Sequence, residues 1–242
     1  MPNDSHFSQK TRKRICQAIQ LLVCPCLLLF IFTVRVAAQA PNDNSTSDSA
    51  LPNPPASEGI RKGDNEFGVW GGVSFHSTTL IDKTPDARFA NIGLRYGRVL
   101  AASETVAFSW TIDVIPVAVL SNPRFTAVPS GSGFVVTQSR KSVYAWGAAP
   151  IGLKFNFRRN RRVQPYGHAT GGFLYFNEDV PLPGAARFNF TYDFSGGVQI
   201  VNSDRKAFTI GYKYQHTSNG YRATFNPGVD VQMIFVGFSV FK

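Results

Sequence analysis

Three side chains near the C-terminus have the types and spacing of a serine hydrolase site. His216 and Ser218 are two positions apart, and Asp230 follows the serine by twelve positions. In an extended strand, residues i and i+2 share one face with Cα atoms about 7 Å apart, so an imidazole can reach a hydroxyl and take its proton. Across a closed hairpin, Asp230 can return beside His216, where a carboxylate would orient the imidazole and stabilise its charged form. These residues are therefore a candidate base, nucleophile and acid.

Polar and turn-forming residues fill the stretch between this serine and this aspartate. Asn219 and Asn226 offer amide donors for an oxyanion, and Asn226-Pro227-Gly228 has the composition of a rigid turn. Taken singly, the His-x-Ser pattern is typical of an ordinary histidine at a strand end, and the asparagines are typical loop residues. Their combination in this order favours a site in which Asn219, Asn226 and Gly228 support the oxyanion.

The elements that must position these groups are strands, because apolar and polar residues alternate with period two along most of the chain. In TVAFSWTIDV (105–114) and FNFTYDFSGGVQI (188–200), one face is apolar and aromatic while the other is polar. The pattern predicts eight strands, most of them longer than is usual in a soluble sheet and long enough for a tilted membrane crossing. They are expected at residues 65–76, 87–100, 104–118, 144–157, 163–177, 188–201, 205–216 and 231–241.

Long and short connections alternate between these strands. The long ones are expected at residues 77–86, 119–143, 178–187 and 217–230, and the short ones at residues 101–103, 158–162 and 202–204. This predicts an all-β fold, an eight-stranded antiparallel transmembrane β-barrel with long external loops and short periplasmic turns. His216 then lies at the outer rim. Because alternate residues of a strand share one face, His216 and Ser218 are expected on the same face as the lipid-facing side chains of their strand. The alternative is a lipocalin-like soluble binder, with the apolar face directed inward around a ligand.

The first residues of the chain indicate export. A basic segment, Lys10 to Arg14, precedes an apolar run and small residues, so residues 1–38 are predicted to be a signal peptide cleaved after Ala38 or Ala40, with an uncleaved anchor as the alternative. All three cysteines lie within this segment. Residues 39–63, rich in Pro, Ser, Asn and Asp, are predicted to be a disordered linker, and residues 64–242 to be the barrel.

The net charge and the motifs of the chain limit the classes of partner and cofactor that it is expected to bind. The chain has a formal net charge of +10, which in an exported protein favours anionic lipid or polysaccharide over nucleic acid, or reflects only a basic surface. No metal-ligand spacing, phosphate-binding loop or cofactor motif stands out in the sequence, so we expect no metal and no cofactor.

HTSNG (216–220) followed by NPGVD (226–230), on the last two strands of an exported barrel, resembles the lipid A 3-O-deacylases of the outer membrane. The resemblance implies that His216 is the general base, Ser218 the nucleophile and Asp230 the acid, with Asn219 and Asn226 supporting the oxyanion. The family usually has Glu where this chain has Asp230, and Asp is one methylene shorter.

The same resemblance implies an outer-membrane esterase of a Gram-negative bacterium. It would remove an ester-linked 3-hydroxy fatty acid from lipid A by a Ser-His-acid mechanism, with lipopolysaccharide as its substrate and a homodimer as an expected assembly. The alternatives are a non-enzymatic outer-membrane barrel with a structural or adhesive role, and the soluble binder described above.

Overall fold

The computed structural model describes residues 59–78, 80–81 and 84–242. The predicted signal peptide, residues 1–38, and most of the predicted linker lie outside the described residues. Within the described part of the chain, no helix is long and apolar enough to cross a membrane.

The described chain forms one closed antiparallel sheet. Eight long strands follow one another in the order β1, β3, β4, β5, β6, β7, β8, β9, and β1 pairs with β9 to complete the ring. The short strand β2 pairs with the outer end of β9. The eight-stranded antiparallel barrel predicted from the sequence is therefore confirmed. The strands are β1 (Asn65–Ser74), β2 (Ser77–Thr78), β3 (Arg88–Ala102), β4 (Val106–Ser130), β5 (Gly133–Phe157), β6 (Val163–Val180), β7 (Ala186–Val201), β8 (Lys206–Ser218) and β9 (Val229–Phe241).

The apolar face of each strand points outward. Along β8, Phe208 and Ile210 are exposed, whereas Thr209 and Lys213 are buried in the barrel. Phe194, in the middle of β7, is 54% exposed. A lipocalin-like barrel needs the reverse arrangement, with apolar side chains inside, so that alternative is wrong. An apolar outer surface on a closed barrel is what a hydrocarbon environment requires, since closure satisfies every strand's backbone hydrogen bonds.

Paired charges occupy part of the interior, beside an apolar cluster that includes Trp70, Met233 and Phe235. The Lys154 ammonium lies 2.9 and 2.8 Å from the two carboxylate oxygens of Glu66, and both side chains are almost completely buried. Arg95 donates two hydrogen bonds of 2.7 Å to Asp113, also in the interior. A buried charge is costly unless it is paired and hydrogen-bonded, so this pairing allows charged side chains to lie inside the closed barrel. Each pair links two strands of the barrel below the outer rim.

The external connection between β4 and β5 differs from the prediction. Residues 119–143 were expected to form a long irregular loop, but β4 and β5 stay paired from Ser121↔Ser142 to Ser130↔Gly133 and turn at residues 131–132. The physical reason is the content of β-branched and aromatic residues in this segment, which favours a paired ribbon. Gly131, with φ of 61°, takes the left-handed conformation that the turn requires.

The opposite end of the barrel carries the short turns, at residues 103–105, 158–162 and 202–205. A small apolar cluster closes this end, and it includes Ile60, which is only 2% exposed. Ile60 belongs to the segment expected to be linker, so the packed domain begins a few residues before position 64. The cluster consists of Ile60, Val99, Ala107, Val201, Ala207 and Phe241.

Candidate active site

Four polar residues form a row across the outer ends of neighbouring strands. Tyr192 of β7 lies directly opposite His216 of β8, His216 lies opposite Asp230 of β9, and Asp230 lies opposite Thr78 of β2. Directly paired residues of adjacent strands have Cβ atoms about 4.5–5.5 Å apart and point to the same face. The register therefore brings the predicted base and the predicted acid into contact.

His216 and Asp230 are joined by a buried hydrogen bond. The distance from His216 Nδ1 to Asp230 Oδ1 is 2.7 Å, and the two residues are 5% and 0% exposed. The second carboxylate oxygen, Oδ2, accepts the backbone N–H of Ile81 at 2.6 Å. Because positions 216 and 230 are direct neighbours in the ladder, the shorter Asp side chain reaches the imidazole without a further methylene.

The burial of this pair was not expected from the strand pattern. Along β9, Gln232 and Ile234 have the same parity as Asp230 and are exposed, so parity alone would place Asp230 and His216 on the lipid-facing surface. The described residues of the first external connection (75–78, 80–81 and 84–87) cover them instead. Its strand β2 pairs with β9, and the Thr84 hydroxyl donates a hydrogen bond of 2.7 Å to the carbonyl of Gly228. The site lies on the outer face of the barrel, beneath this connection.

Tyr192 contacts the candidate base, although the strand pattern indicates only that it belongs to the apolar, aromatic face of residues 188–200. Its ring stacks on the His216 imidazole, with centroids 4.7 Å apart and an interplanar angle of 29°. The signal in the sequence is weak, because Tyr192 shares its outward parity with Phe190 and Phe194 on the same strand. Only the pairing register between β7 and β8 identifies it as the neighbour of the histidine.

Ser218 is the last residue of β8 and is half-buried. It follows His216 by two positions within the strand, so both side chains lie on the outward face. Its partner in the β7 ladder is Phe190, an exposed aromatic side chain. Ser218 is thus next to the His216–Asp230 pair along β8 and is paired with an exposed aromatic residue of β7.

The asparagines brace the loop that follows Ser218. The backbone N–H of Asn219 donates to Asn226 Oδ1 at 2.9 Å, and Asn219 Nδ2 donates to the carbonyl of Phe225 at 2.6 Å. Asn219 is 2% exposed, whereas Asn226 is half-buried. With Oδ1 of Asn226 accepting a hydrogen bond, its NH₂ group is the part that can donate. Gly228 contributes through its carbonyl, which holds the connection over the site.

Metal-binding groups of three or more His, Cys, Asp or Glu side chains do not occur among residues 59–78, 80–81 and 84–242. The His216–Asp230 pair is a two-residue arrangement, and the oxygen of Asp230 that does not bond to His216 is occupied by the Ile81 amide. The chemistry that this arrangement offers is proton transfer by a buried, oriented imidazole.

Three solved structures are similar to this chain at low sequence identity. The outer membrane enzyme PagL is 13% identical, covers 72% of this chain and 98% of its own, and has a TM-score of 0.49. Neisserial surface protein A is 15% identical, with coverage of 74% and 98% and a TM-score of 0.44. The outer membrane protein OprG from Pseudomonas aeruginosa is 14% identical, with coverage of 76% and 97% and a TM-score of 0.44. No curated protein matches the chain significantly.

The family model described as lipid A 3-O-deacylase (PagL) matches residues 91–239. This range is more than half of the chain, and it contains His216, Ser218 and Asp230. The chain therefore belongs to the lipid A 3-O-deacylase (PagL) family, whose members are ester hydrolases built as β-barrels in the Gram-negative outer membrane.

Proposed function

We propose that this barrel removes an ester-linked 3-hydroxy fatty acid from lipid A, with Ser218 as nucleophile, His216 as general base and Asp230 as the acid. The observation that carries the proposal is the buried bond of 2.7 Å between His216 Nδ1 and Asp230 Oδ1, two positions from a serine on the same face of β8. A nucleophile beside a base that a third group orients is the arrangement required for acyl transfer.

The hydrogen bond to Asp230 sets the tautomer of the imidazole. Because the carboxylate accepts from Nδ1–H, Nε2 carries the lone pair that takes the proton of Ser218. The serine oxygen attacks the ester carbonyl, and the tetrahedral intermediate collapses when the imidazolium gives its proton to the departing sugar hydroxyl. Water then hydrolyses the acyl-serine by the same proton transfers, releasing the fatty acid and restoring Ser218.

The oxyanion needs donors fixed before the reaction begins. The NH₂ group of Asn226 is the side-chain donor that we assign to this role, since its oxygen is held by the Asn219 backbone N–H. Asn219 and Gly228 act through the loop, Asn219 by its bond to the Phe225 carbonyl and Gly228 by its bond to Thr84.

The location of the site suits a substrate that is itself part of the membrane. Ser218 lies at the external end of β8, next to the exposed side chain of Phe190. The apolar acyl chain of lipid A could lie against the outer wall of the barrel while its ester reaches the rim. The expected homodimer stays a prediction. The proposed mechanism uses residues of one chain.

The decisive experiment compares Ser218→Ala with Thr217→Val. Thr217 is the adjacent hydroxyl residue, but it is buried on the inner face of β8, where Gln215 donates to it. Loss of a triad nucleophile typically lowers the rate by several orders of magnitude. We therefore expect Ser218→Ala to fold and to release no fatty acid, whereas Thr217→Val retains activity.

Release is measured by mass spectrometry of lipid A, and folding by heat-modifiable migration of the barrel. Undiminished release by Ser218→Ala would exclude the mechanism. Unchanged lipid A in cells that produce the folded parent protein would favour the structural or adhesive alternative.

A further inference from the structure

One arginine lies beside Ser218 on the outer face of the barrel. The guanidinium carbon of Arg222 is 5.5 Å from the centre of the Phe188 ring and 5.9 Å from that of Phe190. Phe190 is the direct ladder partner of Ser218. Because paired residues point to the same face of a sheet, the cation and the serine share one surface.

The external loop at residues 219–228 is shaped to hold Arg222 over these rings. The Arg222 backbone N–H donates to the carbonyl of Asn219 at 3.3 Å. Gly220 has φ of 64°, and a Cβ there would lie 3.2 Å from the Phe190 ring, so a larger residue would strain the backbone and crowd the ring. The close approach of the loop to β7 therefore depends on glycine, and it places the arginine.

Two other arginines near the rim are paired with acids, whereas Arg222 lies over aromatic rings. Arg140 Nη1 lies 2.8 Å from Asp86 Oδ2, and Arg187 Nε lies 4.0 Å from Asp179 Oδ1. None of the ion pairs among the residues that the structure describes involves the exposed Arg222 side chain. A guanidinium stacked on a ring keeps its N–H groups at its edge, where an anion can accept two of them.

We propose that Arg222 binds a phosphate group of the substrate's own sugar head group and thereby positions the ester at Ser218. This inference rests on the proposed function and adds a determinant of specificity to it. A phosphate presents several acceptor oxygens, and the planar fork of arginine matches two of them. The role of Arg222 is binding and positioning, and Ser218, His216 and Asp230 carry the chemistry.

The test measures deacylation of two substrates in neutral detergent micelles, one lipid A with its phosphates and one from which they have been removed. The variants are Arg222→Gln, Arg222→Lys and the control Arg88→Gln, which removes the same charge from an exposed position at the external end of β3. A hydrogen bond to a charged group is worth about 1.5–3 kcal/mol, which corresponds to roughly 10- to 150-fold.

We expect Arg222→Gln to raise KM for the phosphorylated substrate about tenfold or more while leaving kcat nearly unchanged. Its KM for the phosphate-free substrate should equal that of the parent protein, and Arg88→Gln should behave like the parent on both. Arg222→Lys should be intermediate, because it keeps the charge and loses the fork.

Three results would overturn the inference. In the first, the parent protein shows no preference for the phosphorylated substrate. This result would exclude phosphate binding even if a variant does not fold. Arg222→Gln could be equally impaired on both substrates, which would make Arg222 a brace of the loop. The variant's defect could appear only when phosphatidylglycerol is added to the micelles, which would assign the phosphate to a neighbouring lipid.

Failure of this inference is distinguishable from failure of the proposed function. Cleavage of the phosphate-free substrate requires Ser218 and does not require Arg222. A parent protein that cleaves this substrate, and a Ser218→Ala variant that does not, uphold the function whatever Arg222→Gln does.

Discussion

Lengthening the acidic side chain at position 230 should lower the rate of deacylation. Asp230→Glu restores the residue usual in the family, so the family pattern alone would predict equal or greater activity. The structure predicts the opposite. Asp230 is 0% exposed, its Oδ1 lies 2.7 Å from His216 Nδ1, and its Oδ2 accepts the Ile81 N–H at 2.6 Å.

The size of the expected loss of rate follows from these distances. A methylene extends the side chain by about 1.5 Å, and both carboxylate oxygens are already at hydrogen-bonding distance from their partners. The longer side chain must therefore displace the imidazole, the connection at residues 75–87, or both. Overpacking of a filled site costs about 1–3 kcal/mol, and if that cost falls on the aligned imidazole it lowers kcat by roughly 5- to 150-fold.

The assay is single-turnover release of fatty acid from detergent-solubilised lipid A, followed by mass spectrometry. Asp179→Glu serves as control, because it adds the same methylene to an aspartate whose side chain is 40% exposed. Asp230→Asn should be slower still, by up to about 10⁴-fold, since an amide can support the wrong tautomer. A rate for Asp230→Glu at or above that of the parent protein would refute the reasoning, because it would mean that the site has room for the longer side chain.

Two further changes test the ring beside the histidine and the outer wall. Tyr192→Leu should lower kcat about 2- to 10-fold, because an aromatic pair contributes about 0.5–1.5 kcal/mol beyond its buried area. Tyr192→Phe should stay near the parent value. Equal rates for the two variants would exclude a role for the stacked ring. Phe194→Arg, in the middle of β7, should reduce the free energy of unfolding in lipid vesicles by about 2–4 kcal/mol. The same change at Phe208, near the periplasmic end of β8, should cost about 0–1 kcal/mol, and a larger loss at Phe208 would contradict the orientation of the barrel in the bilayer.

The sequence was sufficient for the parts of this protein that depend on local patterns. Alternation with period two is a property of each strand by itself, so the eight strands and their outward apolar faces could be predicted without knowing which strand pairs with which. His216 and Ser218 lie on one strand, so their shared face could also be predicted. Asp230 was identified by its spacing in a motif that resembles a family, and its contact with His216 required only the hairpin of β8 and β9.

Features that depend on pairing between distant parts of the chain were decided only by the tertiary structure. Tyr192 could not be distinguished from other outward aromatics, because its contact with His216 depends on the register between two strands. The extended ribbon of β4 and β5 was predicted as a loop, because turn-forming and β-branched residues are mixed there. Only the pairing between the two segments shows that they are strands. The burial of Asp230 comes from Ile81, 149 positions earlier in the chain. Closure of the barrel between β1 and β9 brings that connection over the site, and a contact created by ring closure leaves no periodic signal in either segment.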